Sequence, residues 1–274
     1  MAEIIGTFLL IFFGLGAVQT AVLHGDMSGL WQVGIVWGGS IMLAIYTVGA
    51  ISGAHINPAI TIGLSVWGLF PLHRVAPYVA SQLVGAIAAA AILYAINASY
   101  FGLVEAERGI VRGEPTSIVT AMCFGEYFPN PGKLGSEGVT DEQLAAWKSS
   151  FNQPMAFLAE LLGTAILAIV VLATTEKEHL SGPKNLAPVF IGLCVATLIC
   201  VIAPLTQACF NPARDFGPRL FAYFAGWGSA AIPGPNGSGM VTVYIIAPIV
   251  GSILGCGVYQ KLLRPFVLEP TSSS

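Results

Sequence analysis

The sequence predicts an all-α membrane protein, with six transmembrane helices and two re-entrant half-helices arranged as two inverted repeats. Three observations carry that expectation. Of 274 residues, 55% are hydrophobic and only 9% are charged, against about a quarter charged in an ordinary soluble domain. The few charges are clustered, which leaves long stretches without any. Two short motifs also occur twice, in the same order and at nearly the same separation.

So few charges cannot cover a globule of this size, and mean hydropathy is +0.78. A soluble globular enzyme and a disordered regulator are excluded. So is a nucleic-acid binder, because 11 basic against 14 acidic residues give a net charge of −3 and no basic surface. The 32 glycines suit helices that approach closely in a bilayer. Pairs of small residues four apart (Gly34/Gly38, Gly49/Gly53, Ser81/Gly85, Gly251/Gly255) read as packing contacts. Five cysteines form neither a CxxC pair nor a zinc spacing, so no metal or other cofactor is expected. Met1-Ala2-Glu3 runs straight into an apolar segment, with no basic leader to mark a signal peptide.

Residues free of Asp, Glu, Lys and Arg lie at 4–25, 27–73, 75–104, 185–213 and 220–260, and at 149–175 with only Glu160 inside. A helix crossing the hydrocarbon needs about 20 residues. Crossings are therefore expected at 3–23, 33–51, 76–100, 153–174, 186–204 and 240–262. Ser52-Gly53-Ala54-His55-Ile56-Asn57-Pro58 interrupts the second stretch. The apolar run after it, 59–70, is too short to cross. Residues 204–212 break the pattern again, and 213–224 is short in the same way. One membrane domain, 1–274, thus divides into a first repeat (1–100), a connecting loop (101–152), a second repeat (153–264) and a tail (265–274).

The repeats are explicit. Ala2-Glu3-Ile4-Ile5-Gly6-Thr7 recurs 157 residues later as Ala159-Glu160-Leu161-Leu162-Gly163-Thr164, and Asn57-Pro58-Ala59 recurs 154 later as Asn211-Pro212-Ala213. Each half holds three crossings. Three is odd, so the second half enters from the opposite side, and the two interruptions should meet near the midplane. Asn is a strong N-cap and Pro is favoured at the first helical position, so Asn57 and Asn211 should each begin a half-helix. Two N-termini face to face present positive dipole ends and Asn amide donors. Open carbonyls before each Asn are tolerated only along a cavity or inside protein. The product is a narrow pore suited to small neutral hydroxylic solutes and hostile to protons and metal ions.

Paired Asn-Pro-Ala motifs on inverted three-span repeats, each opened by Ala-Glu-x-x-Gly-Thr, resemble the aquaporin superfamily, the major intrinsic proteins. Asp215 after Arg214, the basic Arg219 four further on, and Phe128-Pro129-Asn130-Pro131 resemble its glycerol-conducting branch, the aquaglyceroporins. The resemblance implies a homotetramer with one pore per subunit, in the plasma or bacterial inner membrane, with cytoplasmic termini. It also implies glycerol or similar small polyols, and water, as permeants. By position relative to the motifs, the selectivity filter reads Trp37, Ile199, Ala208 and Arg214. Ala208 stands where glycerol facilitators carry an aromatic residue. Ile199 stands where they carry Gly and where water-selective members carry His. The arginine fork is kept, and it can hold two vicinal hydroxyls.

Around these residues, Glu3 and Glu160 should accept hydrogen bonds from the unwound segment of their own half, and His55 should fix the first pore loop. Asp215 supports the second. The Cys209 thiol either approaches the pore or points into protein. Arg74, Lys177, Lys184, Lys261 and Arg264 sit on the side assigned to the cytoplasm. A water- or gas-preferring channel is the alternative within the family, and a secondary active transporter the alternative outside it. The transporter lacks paired intramembrane acids for a coupling ion. An enzyme is not expected, since no Ser/His dyad, HExxH or paired Asp occurs within the spans.

Overall fold

The computed structural model describes residues 1–27, 29–134 and 139–268. Among these described residues, six helices are long and apolar enough to cross a membrane: α1 (Ala2–His24), α2 (Leu30–Ser52), α4 (Leu72–Glu107), α7 (Gln153–Thr175), α8 (Lys184–Thr206) and α10 (Gly239–Val267). Two short helices follow the interruptions: α3 (Pro58–Val66) and α9 (Pro212–Ala222). The connecting loop carries α5 (Ile118–Ala121) and α6 (Asp141–Ser149).

The elements follow from local chemistry. Asn57 Oδ1 accepts from the N–H groups of Ala59 (2.8 Å) and Ile60 (3.4 Å), with Pro58 at the first helical position. Asn211 Oδ1 does the same for Ala213 (3.0 Å) and Arg214 (3.3 Å), ahead of Pro212. These bonds satisfy donors that every helix start leaves open. Asn152 caps α7 through Met155 N, at 3.0 Å. At the other end of the preceding spans, α2 stops at Gly53 (φ +82°) and α8 at Gln207 (φ +64°), both left-handed.

The halves pack alike. Helix α1 lies against α2 and α4, α7 lies against α8 and α10, and α2 meets α8 at the centre. The half-helices cross over, α3 packing on α10 and α9 on α4. Small residues make the crossings possible. A Cβ on Gly38 would strike the Gly192 carbonyl, and one on Gly192 would strike that of Gly38. These two glycines are 154 residues apart, so the central contact pairs a position with its own repeat. Gly85 admits the carbonyl of Ile4, and Gly251 admits that of Leu161 in the same way.

Three expectations need correction. The third crossing does not end at 100. It runs to Glu107, because Phe101 and Val104 stay buried and Glu105 is paired with Arg112 (2.8 Å) and Thr120 (2.9 Å). The last span extends beyond 264 to Val267; of the tail, residues 269–274 lie outside the described residues, as do 135–138 of the connecting loop. The Gly49/Gly53 pair joins no helices: a Cβ on Gly49 meets only its own helix and Ala54, and Gly53 is the left-handed end of α2.

Candidate functional site

The two interruptions are one device built twice. Ala54 and Ile56 in the first, Ala208 and Phe210 in the second, all adopt positive φ. Such a conformation costs a non-glycine residue roughly 1 kcal/mol or more, so something must hold it. In the first turn Glu3 does so. It accepts from Ser52 Oγ (2.6 Å), His55 N (3.0 Å), Ile56 N (2.8 Å) and Gln82 Nε2 (2.8 Å). In the second turn Glu160 accepts from Thr206 Oγ1 (2.5 Å), Cys209 N (3.0 Å) and Phe210 N (2.8 Å). Ser52, His55 and Ile56 each lie 154 residues before Thr206, Cys209 and Phe210. Tyr78 donates to the Ser52 carbonyl (2.9 Å), as Tyr244 does to that of Thr206 (3.2 Å). Both glutamates are almost fully buried. Hydrogen bonds to an ionised carboxylate are the strong kind, and here they run to the backbone that needs restraint.

The turns are also stitched to each other. Asn57 Nδ2 donates to the Phe210 carbonyl and Asn211 Nδ2 donates to the Ile56 carbonyl, both at 2.8 Å. Each amide carries two N–H groups, so each keeps a second donor beyond the cross-link. The half-helix N-termini are thereby fixed face to face.

Beyond them, on the side of the connecting loop, opens a vestibule of about 630 Å³. Trp37, Val33, Leu30 and Ile199 form an apolar part of its wall, and Arg214, Gln207, Asn130 and Arg108 a polar part. The Arg214 guanidinium lies over the Trp37 ring, 4.4 Å from its centre. Its Nη2 is paired with the Glu126 carboxylate. Among the described residues, Arg214 Nη1 has no hydrogen-bond partner. Asp215 and Arg219 form a second buried pair one turn on, with Arg219 Nε at 3.1 and 3.0 Å from the two Asp215 oxygens. Burial raises the Glu126 carboxyl above its ordinary range, and the Arg214 guanidinium beside it works in the opposite direction. Contact with a cation that keeps its proton favours the ionised acid.

The Major intrinsic protein (MIP) family description matches residues 1–259. The chain belongs to that family. It is 38% identical over 263 residues to the glycerol uptake facilitator protein of Escherichia coli (strain K12), covering 96% of this chain and 87% of that one. It is 37% identical over 263 residues to the propanediol uptake facilitator PduF of Citrobacter freundii, with 96% and 91% covered. The X-ray structure of the aquaglyceroporin from Plasmodium falciparum superposes with a TM-score of 0.79 at 25% identity, covering 97% of this chain and 96% of that one. The fold expected from the sequence is therefore that of the family: a multi-pass membrane protein and not an enzyme.

Within this family member, the structure brings Trp37, Ile199 and Arg214 to one vestibule wall. Ala208 is buried outside that lining, and its neighbour Gln207 lines the wall instead. Cys209 is buried outside it too, its thiol directed at the carbonyls of Asn211 (3.3 Å) and Tyr244 (3.9 Å). His55 contacts Thr61 Oγ1 through Nδ1 (3.2 Å) and packs edge-on against Phe70 and tilted against Tyr78. Asp215 reaches past Arg219 to accept the N–H of Glu126 at 2.7 Å.

Sequence reasoning missed Glu126 and Gln207. Glu126 sits in the connecting loop, 101–152, to which the sequence assigned no site residue. The available signal was its setting, Phe124-Gly125-Glu126-Tyr127-Phe128, an acid enclosed by aromatic residues just before the Pro-Asn-Pro turn. Gly125 is there because any Cβ would run into Arg219.

Proposed function

We propose that this protein is a passive channel for glycerol and similar small polyols or diols, with water also passing and with protons and metal ions excluded. The observation that carries the reading is the vestibule wall. An arginine with an unpartnered N–H donor lies over a tryptophan ring, just outside two cross-linked Asn-capped half-helices. A polyol has a carbon chain on one side and hydroxyls on the other. Trp37 and Ile199 suit the chain, while Arg214 Nη1 and the free Asn amide donors suit the hydroxyls. Two helix N-termini and a guanidinium oppose cations. The relatives named for glycerol and propanediol uptake support the same solute class.

In this reading, Asn57, Pro58, Ala59, Asn211, Pro212 and Ala213 form the centre of the pore. Trp37, Ile199 and Arg214, with Gln207 on the same wall, form its filter. The assembly is a homotetramer in the cell membrane with cytoplasmic termini. The test is stopped-flow light scattering on reconstituted vesicles under glycerol, propanediol and water gradients. Glycerol flux well above that of protein-free vesicles, non-saturating and independent of any ion gradient, is expected. Flux at the protein-free level, or flux driven by an ion gradient, defeats the reading.

A further inference from the structure

Glu126 is a fully buried acid on a loop, and an unused buried charge is costly. Its backbone and one carboxylate oxygen are held by the second half-helix. Its N–H donates to Asp215 Oδ1 at 2.7 Å, and its carbonyl accepts from Arg219 Nη2. The buried Asp215–Arg219 pair thus clamps the Glu126 backbone from both sides. The side chain is left against Arg214, on the same half-helix as the clamp. Arg214 is then constrained by the carboxylate at Nη2 and by the Trp37 ring on its face, and its Nη1 is buried without a hydrogen-bond partner among the described residues. The first pore turn has nothing of the kind: Ile60, Thr61 and Ser65 stand where Arg214, Asp215 and Arg219 stand in the second.

We infer that Glu126 is a positioning residue for the filter, a counter-charge that pins the Arg214 guanidinium so that a fixed N–H donor, rather than a loose net positive charge, discriminates among neutral hydroxylic solutes. The inference rests on the channel reading above and adds a specificity-determining residue to it. With Glu126 in place the filter is a neutral pair with a fixed donor. Without its charge, the guanidinium is free to swing into the lumen. Without Arg214, the carboxylate is left as an uncompensated acid beside the path.

The test uses full-length protein in vesicles, with five forms: wild type, E126Q, E126D, R214A and R214A/E126Q. For E126Q the glycerol-to-water permeability ratio should fall by at least about threefold, the lower end of coupling between residues in contact. E126D, which keeps the charge, should recover part of that loss, as a merely space-filling role would not require. Potassium leak, read with a potential-driven flux assay, should appear in R214A. It should drop by about tenfold or more when E126Q is added, because the field of the acid is then removed. This second pair keeps the idea testable if E126Q alone fails to fold, since R214A/E126Q leaves neither charge unpaired. An unchanged permeability ratio in E126Q, or equal leak in R214A and R214A/E126Q, overturns the inference. Wild-type vesicles no more permeable to glycerol than protein-free ones would instead defeat the channel reading.

Discussion

The first pore turn, around Asn57, and the second, around Asn211, share a backbone and differ in charge. Both place non-glycine residues in the left-handed region at matching positions, both hang the strained peptides on a buried glutamate, and both end in an Asn-Pro cap. The first is otherwise neutral. Gln82 bridges Glu3 and Thr61, and His55 is wedged between Phe70 and Tyr78. The second carries Arg214, Asp215 and Arg219, and ties itself to the connecting loop through Glu126. The duplicated part is the scaffold that makes a pore possible. Of the part that is not duplicated, Arg214 lines the vestibule, where the proposed channel would sort its solutes. In the proposed reading, one side supplies stability alone, and the other supplies stability and selection.

The sharpest way to break this contrast is to remove the charge that only the second turn has. Asp215→Ala strands a buried guanidinium and should destabilise the protein by about 3–5 kcal/mol. Thr61→Ala, at the matching position, loses only neutral hydrogen bonds and should cost about 1 kcal/mol. Thermal unfolding in detergent compares them, and equal losses would show that the second turn is no more charge-dependent than the first.

The shared scaffold predicts the opposite pattern at its anchors. Glu3→Gln and Glu160→Gln each weaken charge-assisted bonds to strained backbone and should each cost about 2–3 kcal/mol. The same unfolding assay should find them within about 1 kcal/mol of each other. A harmless change at either site would mean that the carboxylate is not what holds its turn.

A smaller effect separates the twin glycines. A Cβ on Gly163 runs into the Phe210 ring, whereas one on Gly6 meets the methyl groups of Val48 and Ile56. Overpacking of this sort costs about 1–3 kcal/mol. Gly163→Ala should lie at the upper end, since a rigid ring gives way less than methyls do. It should also lower flux, because Phe210 accepts the Asn57 amide. Equal stability and equal flux for Gly163→Ala and Gly6→Ala would remove that distinction.

Much of this was legible in the sequence for a simple reason. Duplication leaves a numerical offset, and membrane spans leave gaps in the charge pattern. Both signals survive without knowledge of any contact, which is why six crossings, two half-helices and the paired Asn-Pro-Ala caps could be read directly. What was lost depends on three-dimensional closure. Glu105 and Glu107 looked like the end of a span, yet Glu105 is neutralised by Arg112 seven residues on and the helix continues. Glu126 lies in the connecting loop, far from either motif in sequence, yet the loop folds down until its backbone meets Asp215 and Arg219. Counting positions from the motif did not reveal Gln207, which the left-handed turn presents to the vestibule wall. The offset held one further message: Ile60, Thr61 and Ser65 align with Arg214, Asp215 and Arg219, so the asymmetry between the turns is written in the residue types themselves.

The most direct test of that asymmetry is to measure glycerol, water and proton permeability in vesicles carrying wild type, Arg214→Ala and Ile60→Ala, whose sites are repeats of one another. Arg214→Ala should shift the glycerol-to-water ratio several-fold and admit protons, while Ile60→Ala leaves the ratio and the proton barrier unchanged. Equal shifts from the two substitutions, or none from Arg214→Ala, would contradict the account that selection resides in the second turn.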